Sequence, residues 1–343
     1  MATIGTLVIN IIGDSSQFRD SIEESIKTMQ RAERQVARSA RNIEKLGQGL
    51  MIGLTAPLML ISGYATKAAI DWEDAFAGVR KTVEGTEEQL AELARGIRDM
   101  AREIPTAATE VADIAAMAGQ LGIQREAILG FTRTMADLAV ATDLAGEQGA
   151  TALAQFANVM QMSQRNFDRL GSTIVALGNN AATTESRIAE FGQRIAAAGR
   201  IAGMAEAEVL AIGAAMASVG VEAEAGGTAV QKMLIAMTQA VAQGNDKLSL
   251  FAATAGMSAQ QFATLWREDA AQAFTAFVEG LGRAGDQAFV ILQRLGMTDS
   301  RLMQAFLSLG NAGNLLRRTI ELGNRAWEEN NALAAEAAER YRT

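Results

Sequence analysis

Glycine recurs throughout a sequence that otherwise favours helices, and this limits the chain to short helices joined by turns. The 343 residues include 32 Gly but only two Pro, Pro57 and Pro105, and aromatic residues make up 5%. Ala, Leu, Ile and Met dominate the hydrophobic residues, which favours helices packed through small side chains. Each Gly inside a helix costs about 0.5–1 kcal/mol relative to Ala. We therefore expect a mainly α, multi-helix assembly and not one continuous rod.

Two absent residue types exclude several kinds of chemistry. The chain contains no Cys and no His, which removes disulfides, thiol nucleophiles, imidazole bases and the usual zinc and haem ligands. The net charge of −8 argues against a protein that coats phosphate backbones, so we expect no specific nucleic-acid recognition. The first residues do not show the basic, apolar and cleavage regions of a secretory signal.

The first 50 residues predict one short strand followed by one long helix. Residues 3–12 are rich in β-branched side chains, with Leu7, Ile9 and Ile11 on one face. Asp14 is placed to cap the helix, whose apolar positions then step by four and three, as in a coiled coil. The large residues of this self-association seam are Phe18, Ile22, Met29, Val36, Ile43 and Leu50. Such a stripe needs a partner helix, from this chain or from a neighbouring subunit, and we predict a homo-oligomer.

Basic residues recur at spacings of three and four along the same predicted helix. This basic stripe consists of Lys27, Arg31, Arg34, Arg38, Arg41 and Lys45. A solvated or ion-pairing helix face is the favoured interpretation, because the stretch lacks aromatic residues that could stack on bases. Binding to nucleic acid or lipid headgroups is the alternative.

An uncharged segment spans residues 46–66, and two interpretations of it stay open. Its length is close to the roughly 20 residues that cross a bilayer, and its apolar centre includes Leu50, Ile52, Leu54, Pro57, Leu58, Leu60 and Ile61. Gly and Ser residues dilute the hydrophobicity, and Pro57 predicts a break in the helix. A buried, kinked helical hairpin is favoured over a membrane-inserting segment.

From about residue 86 onward, helical patterns follow one another, separated by Gly-containing stretches such as 119–122, 178–180 and 226–227. A weak repeat lies among them. The pattern Ala118-Gly119 to Gly146 recurs as Ala198-Gly199 to Gly227, at an offset of about 81 residues. We predict a tandem duplication of helical units. The predicted regions are 1–70, 71–245 with the two related units, and 246–343, a C-terminal helical region.

No common catalytic motif is present, and the sequence does not support an enzyme. Walker A, dinucleotide-binding, nucleophile-elbow and EF-hand patterns are all missing from the sequence. Glycosidase chemistry needs only two carboxylates, and pairs such as Glu84 with Glu87 and Glu88, or Glu328 with Glu329, exist. They lie among polar residues, where we expect solvated, ionised helix faces. We predict no catalytic residues, no cofactor and no metal.

Several local patterns in a fixed order resemble a known family. They are Asp14-Ser15-Ser16-Gln17-Phe18; Leu54-Thr55-Ala56-Pro57-Leu58; Trp72-Glu73-Asp74-Ala75-Phe76 with Val79; Ala118-Gly119; Leu138-Ala139-Val140-Ala141-Thr142; and residues 224–232, similar to a Gly-rich turn into a helix. Over roughly residues 1–245 this order resembles the N-terminal and core module of the tail tape measure proteins of long-tailed bacteriophages.

The resemblance implies a structural scaffold in the lumen of the growing tail. Its length would set tail length by templating tail-tube assembly, and it would be ejected during genome delivery. The implied partners are the tail-tube protein, tail-assembly chaperones and tail-tip proteins, with host membrane contact during ejection. The implied location is the virion tail lumen, and the host cytoplasm during assembly. No catalytic or ligand residue is carried over.

Length is the point where the chain departs from a simple ruler. A fully helical form would span about 500 Å at 1.5 Å per residue, and the Gly spacing predicts a more compact form. The sequence ends at Arg340-Tyr341-Arg342-Thr343 without a Gly or Pro stop signal, so we expect a longer native protein or a short family member. Two alternatives remain: a membrane-inserting helical protein acting through residues 46–66, and a cell-wall hydrolase.

Overall fold

The computed structural model describes the backbone of residues 51–342 and the side chains of residues 67–342. Every regular element within those limits is helical, which confirms the mainly α prediction. Four predictions concern residues outside the described ones: the strand at residues 3–12, the long helix after Asp14, the self-association seam and the basic stripe.

The described helices are 8–32 residues long. They are α1 (Met51–Thr82), α2 (Glu87–Glu103), α3 (Ala108–Gln120), α4 (Arg125–Ala141), α5 (Gly146–Met160), α6 (Phe167–Asn180), α7 (Glu185–Ile201), α8 (Glu206–Ser218), α9 (Ala223–Gln243), α10 (Asp246–Ala255), α11 (Ala259–Glu268), α12 (Ala270–Ala284), α13 (Gln287–Arg294), α14 (Ser300–Asn311), α15 (Leu315–Glu329) and α16 (Ala332–Arg342). A 3₁₀ turn, Gln164–Asn166, precedes α6.

Helix α1 includes Pro57, where the sequence pattern predicted a break between two helices. The prediction of a break at Pro57 is therefore wrong, because one helix runs through this residue. Proline removes one backbone hydrogen bond and bends a helix, but the bonds of the neighbouring turns remain available, so the helix continues. A compact unit begins within α1 at Ile70 and extends through the remaining helices.

Two groups of three helices occupy the middle of this compact unit. In the first group, α3, α4 and α5 contact one another, and in the second, α7, α8 and α9 do the same. The first turn of each group contains a glycine with positive φ, Gly122 at 78° and Gly203 at 84°, which are 81 residues apart. Helix α6 connects the groups and contacts α4, α7 and α8. The order of elements therefore follows the predicted repeat, and the duplication itself stays a prediction.

Helix α8 lies at the centre of the second group. Its residues from Val209 to Ala217 are all buried, because α6, α7, α9, α14 and α15 surround it. A helix that is apolar on every side needs such a position. Helices α10–α14 form a further layer around clustered aromatic rings, with Phe251 and Phe277 centroids 5.2 Å apart, and α14 packs on α9.

Two of the glycine stretches predicted as turns lie inside helices. Residues 178–180 are the last residues of α6, so that predicted turn is wrong. Gly226 and Gly227 belong to α9, which already begins at Ala223, so they are not a turn into a helix. A Cβ atom on Gly226 would lie 2.8 Å from Cε1 of Phe191, and one on Gly227 would lie 3.0 Å from Cβ of Arg194. Both neighbours are on α7. The glycines therefore allow α7 and α9 to pack closely, which outweighs their unfavourable helix propensity.

Candidate functional site

The residues for which the sequence predicted association or membrane contact are concentrated near the N-terminus. The seam and the basic stripe fall outside the described residues. The residues of the possible membrane segment from Ile52 to Ile61 belong to α1, but their side chains are not among those described. No helix in the described part of the chain is both long enough and apolar enough to cross a membrane.

The carboxylate pairs noted in the sequence are all exposed. Glu84, Glu87 and Glu88 lie at the α1–α2 connection, where Glu87 accepts an ion-paired hydrogen bond from Arg80 at 2.7 Å. Glu328 and Glu329 lie in the exposed last turn of α15. None of these side chains is placed in an apolar pocket of the kind that favours a protonated general acid. Among residues 67–342, no group of three carboxylates is placed to hold a metal ion.

A groove of about 480 Å³ runs between α4, α6 and the start of α16. Its central charges are paired: the Arg133 guanidinium lies 3.0 Å from an Asp137 carboxylate oxygen and 3.1 Å from Glu103. The hydroxyl of Tyr341 donates to Asp137 at 2.7 Å. Burial, the hydrogen bond to Asp137 and the charge of that carboxylate raise the pKa of Tyr341. The network ties three separate parts of the chain together, and its groups are occupied with one another.

A second polar cluster joins the two groups of helices. Asp143, after α4, accepts hydrogen bonds from the backbone N–H of Ser186 at 2.9 Å and from its hydroxyl at 2.6 Å. Burial acts to raise the pKa of Asp143, but the hydrogen bonds from Ser186 outweigh it and lower that pKa. The pKa of neighbouring Glu185 is raised by burial and by the charge of Asp143. Because Asp143 satisfies the first turn of α7, the cluster has a clear structural role.

Large exposed apolar side chains are dispersed over the described surface. The most exposed are Ile201 at 66%, Ile70 at 56% and Phe289 at 46%. They belong to α7, α1 and α13, three helices that do not pack extensively on one another. Single exposed apolar residues are normal on a protein surface and do not by themselves define a binding site.

The sequence reasoning missed both polar clusters. The residues that contact one another are far apart in the chain, for example Asp137 and Tyr341, which are separated by 204 positions. No spacing rule brings such residues together. The only local signal was an Asp following the helix-ending pattern Leu138–Thr142, which is typical of a capping residue.

The comparison with known proteins concerns the middle of the chain. No curated protein and no solved structure matches the chain. Residues 94–252, from within α2 to within α10, match the family described as phage-related minor tail proteins. The matched segment contains both three-helix groups, α6 and the Asp143 cluster. The match supports a relationship of this segment to a phage tail protein family.

Proposed function

We propose that the chain is a tape measure protein, a non-catalytic scaffold that sets the length of a phage tail. In this role it templates assembly of the tail tube from within the lumen and leaves the particle during genome delivery. The observation that carries the proposal is the family match over residues 94–252. This segment coincides with much of the region in which the ordered tape measure patterns occur.

The described fold is compatible with a scaffold that acts through helix association. Its polar clusters, around Asp137 and Asp143, connect helices to one another. Most of its described helices are short, and many of the connections between them contain a residue with positive φ. A chain of this kind has many points at which neighbouring helices could realign into a more extended form, because few backbone angles change at each turn.

The proposed partners follow from the same role. The tail-tube protein would surround the scaffold, and assembly chaperones and tail-tip proteins would bind it before and during polymerisation. We assign self-association to the seam formed by Phe18, Ile22, Met29, Val36, Ile43 and Leu50. Its heptad spacing favours parallel or antiparallel helices from two or more copies.

Duplication of residues 18–45 in the encoding phage or prophage tests the ruler function. This segment contains four heptads, so its duplication keeps the spacing of the seam. If the added residues are helical and extended in the tail, tails should lengthen by about 42 Å at 1.5 Å per residue. Electron microscopy of purified particles measures the change, and mass spectrometry establishes that the longer protein is present in them.

A variant of unchanged length provides the control. The double substitution Ile22→Ser and Met29→Ser weakens the seam without altering the number of residues. It should reduce the yield of tails while leaving the length of those that form unchanged. Particles that contain the duplicated protein but have tails of the original length would refute the ruler function.

A further inference from the structure

The last two described helices return to pack on helices much earlier in the chain. Helix α15 contacts α6 and α8, and α16 contacts α4 and α6. We refer to α15 and α16, residues 315–342, as the clasp. A short connection joins the clasp to α14, and it contains Gly313 with a φ of 66°.

Two glycines allow the clasp to approach closely. A Cβ atom on Gly171 of α6 would lie 2.8 Å from Cδ2 of Leu333 and 2.9 Å from Cγ2 of Thr134. A Cβ atom on Gly323 of α15 would lie 3.0 Å from the carbonyl oxygen of Ala207. All three distances are shorter than ordinary van der Waals contact. The docked position therefore depends on the absence of side chains at these two positions.

Polar contacts form much of the attachment between the clasp and the helices beneath it. An Arg169 Nη1 atom donates to the carbonyl oxygen of Trp327 at 2.6 Å, and the side-chain amide of Asn330 donates to Asp168 at 2.6 Å. Further contacts are Tyr341 Oη to Asp137 at 2.7 Å, Leu333 N to Ser172 Oγ at 3.4 Å and Arg169 Nη1 to the carbonyl oxygen of Glu328 at 3.5 Å. Water can replace each of these contacts, so the net stabilisation from each is limited, about 0.5–1.5 kcal/mol for a neutral hydrogen bond and about 1.5–3 kcal/mol where one partner is charged.

The helices that α16 covers are unusually polar for a protein interior. The buried polar side chains of the described residues are Thr132, Thr134, Asp137, Ser172, Thr173, Thr275 and Thr319. Five of these seven lie on α4 and α6, and three of them, Thr134, Asp137 and Ser172, line the groove beside α16. The buried polar set includes none from α7, α8 or α9. Exposing polar groups to water is favourable, in contrast to exposing an apolar surface. Uncovering α4 and α6 at α16 therefore costs less than uncovering the apolar faces of the second three-helix group.

The clasp itself buries few large apolar side chains. Leu316 and Leu333 are buried, but its other buried positions are the smaller residues Thr319, Gly323, Ala326 and Ala337. Near the connection to α14, Arg317 forms a two-point ion pair with Glu279 of α12, at 3.0 and 2.8 Å. Attachment is thus charged at the root of the clasp. Further along it, small and polar residues alternate with Leu333 and with the partly buried Ile320, Leu322 and Trp327, which pack against the core.

We propose that the clasp undocks from α4, α6 and α8 as one unit while residues 70–311 stay folded. Undocking bares a polar-lined face on α4 and α6, together with the apolar face of α8 that α15 covers, and provides a defined first step for opening the compact unit. Its use in a scaffold that extends inside a tail rests on the proposed function. The opening itself is a property of the fold and does not depend on that function.

Hydrogen exchange of the full chain, followed by mass spectrometry, tests the proposal. Amides of α15 and α16 should exchange together, about tenfold or more faster than those of α7–α9. Gly171→Leu places a side chain against Leu333 and should increase exchange of the clasp by at least about tenfold again, because overpacking forces the contact apart. Gly130→Ala is the control: this glycine also lies beside the groove, inside α4, but the Cβ atom that the substitution adds meets nothing within 4 Å.

Exchange of wild-type α15 and α16 only at the rate of α7–α9 would overturn the proposal, since it would show that the clasp opens only by global unfolding. A clasp unaffected by Gly171→Leu in a folded variant would do the same. If that variant does not fold, exchange of the wild-type chain at low urea concentrations decides the question. A weak urea dependence for the clasp, beside a strong one for α7–α9, is expected, and equal dependences would refute it. None of these results depends on tail length.

Discussion

Six described helices end with a residue at positive φ followed by a hydrophobic residue that is buried or half-buried. The hydrophobic residues are Ile123, Met162, Met204, Val221, Met257 and Met297, and each donates its N–H to the carbonyl group five residues earlier, at 2.8–3.3 Å. This is the hydrogen bond of a Schellman motif, which ends a helix and places an apolar residue against it. Glycine holds the positive φ in five cases and Gln161 in the sixth.

Gly203→Ala should therefore lower the stability of the protein. Gly203 has a φ of 84° at the end of α7, a conformation that costs an L-residue about 1–2 kcal/mol. Gly130→Ala, inside α4 and facing open space, should instead raise the stability by about 0.5–1 kcal/mol. Urea unfolding followed by circular dichroism measures both changes. Equal effects of the two substitutions would contradict the role of the turn.

Glu208→Gln should stabilise the protein at neutral pH. Burial and the charge of Asp269 raise the pKa of Glu208 above its ordinary value of 4.5, against the hydrogen bonds from Ala205 and Asn324. The stability that protonated Glu208 contributes is fully present below the ordinary pKa of 4.5, and it is lost as the pH rises through the raised pKa. Gln resembles the protonated form and retains the acceptor for the Ala205 N–H, which lies 2.8 Å from the carboxylate. The gain should be present at pH 7 and absent below about pH 4.

Thermal unfolding between pH 4 and pH 8 measures this difference. Glu206→Gln, in the same first turn of α8, is the control. It removes a negative charge from a helix N-terminus, where such a charge is favourable, so it should lower stability slightly at neutral pH. If Glu208→Gln leaves the melting temperature at pH 7 unchanged or lowers it, burial of the charged Glu208 carboxylate does not destabilise the protein.

At the scale of the elements, sequence patterns predicted helices and turns well where local interactions decide them. The glycine before Ile123 was predicted as part of a turn, and Gly122 forms one, because positive φ is a local requirement. Gly226 and Gly227 were also predicted as a turn but lie inside α9. Their role is close contact with α7, which depends on residues more than 30 positions away. A glycine needed for packing and one needed for a turn look alike in a single sequence.

The candidate sites were less predictable than the helices, for the same reason. Sequence reasoning selected seam, stripe and apolar residues between Phe18 and Ile61, and these stay predictions. It did not find the polar face beneath the clasp, since isolated Ser and Thr residues in α4 and α6 show no spacing pattern. Only the docking of α16, about 160 to 200 positions further along the chain, brings Ser172 and Asp137 into one interface.

Packing between α7 and α9 should be sensitive to a side chain at Gly226. A Cβ atom there would lie 2.6 Å from Cγ1 of Val221 and 2.8 Å from the ring of Phe191. We expect Gly226→Leu to lower the free energy of unfolding by about 1–3 kcal/mol or more, because neither neighbour has room to move in a packed core. Gly130→Leu on the open face of α4 should change it much less. Calorimetry measures both, and a fully stable Gly226→Leu variant would contradict close packing at this site.

At the scale of the whole molecule, two kinds of helix contact are expected to have different functions. The compact unit that begins at Ile70 satisfies the apolar faces of its helices internally, as in the fully enclosed α8. The predicted seam from Phe18 to Leu50 has large apolar residues at heptad spacing and requires a partner helix. We infer that association between copies belongs to the seam, while the compact unit supplies a folded body to each copy.

Light scattering of the purified chain at micromolar concentration tests this division. The wild type should be oligomeric, and the double variant Ile22→Asp and Met29→Asp should be monomeric, because charges in a helix seam lose hydration when copies associate. Ile235→Asp is the control, since it places the same charge on an apolar residue that is already 38% exposed on α9. It should leave the oligomeric state unchanged. A monomeric wild type would contradict the seam, and dissociation by Ile235→Asp would place the contact between copies on the compact unit instead.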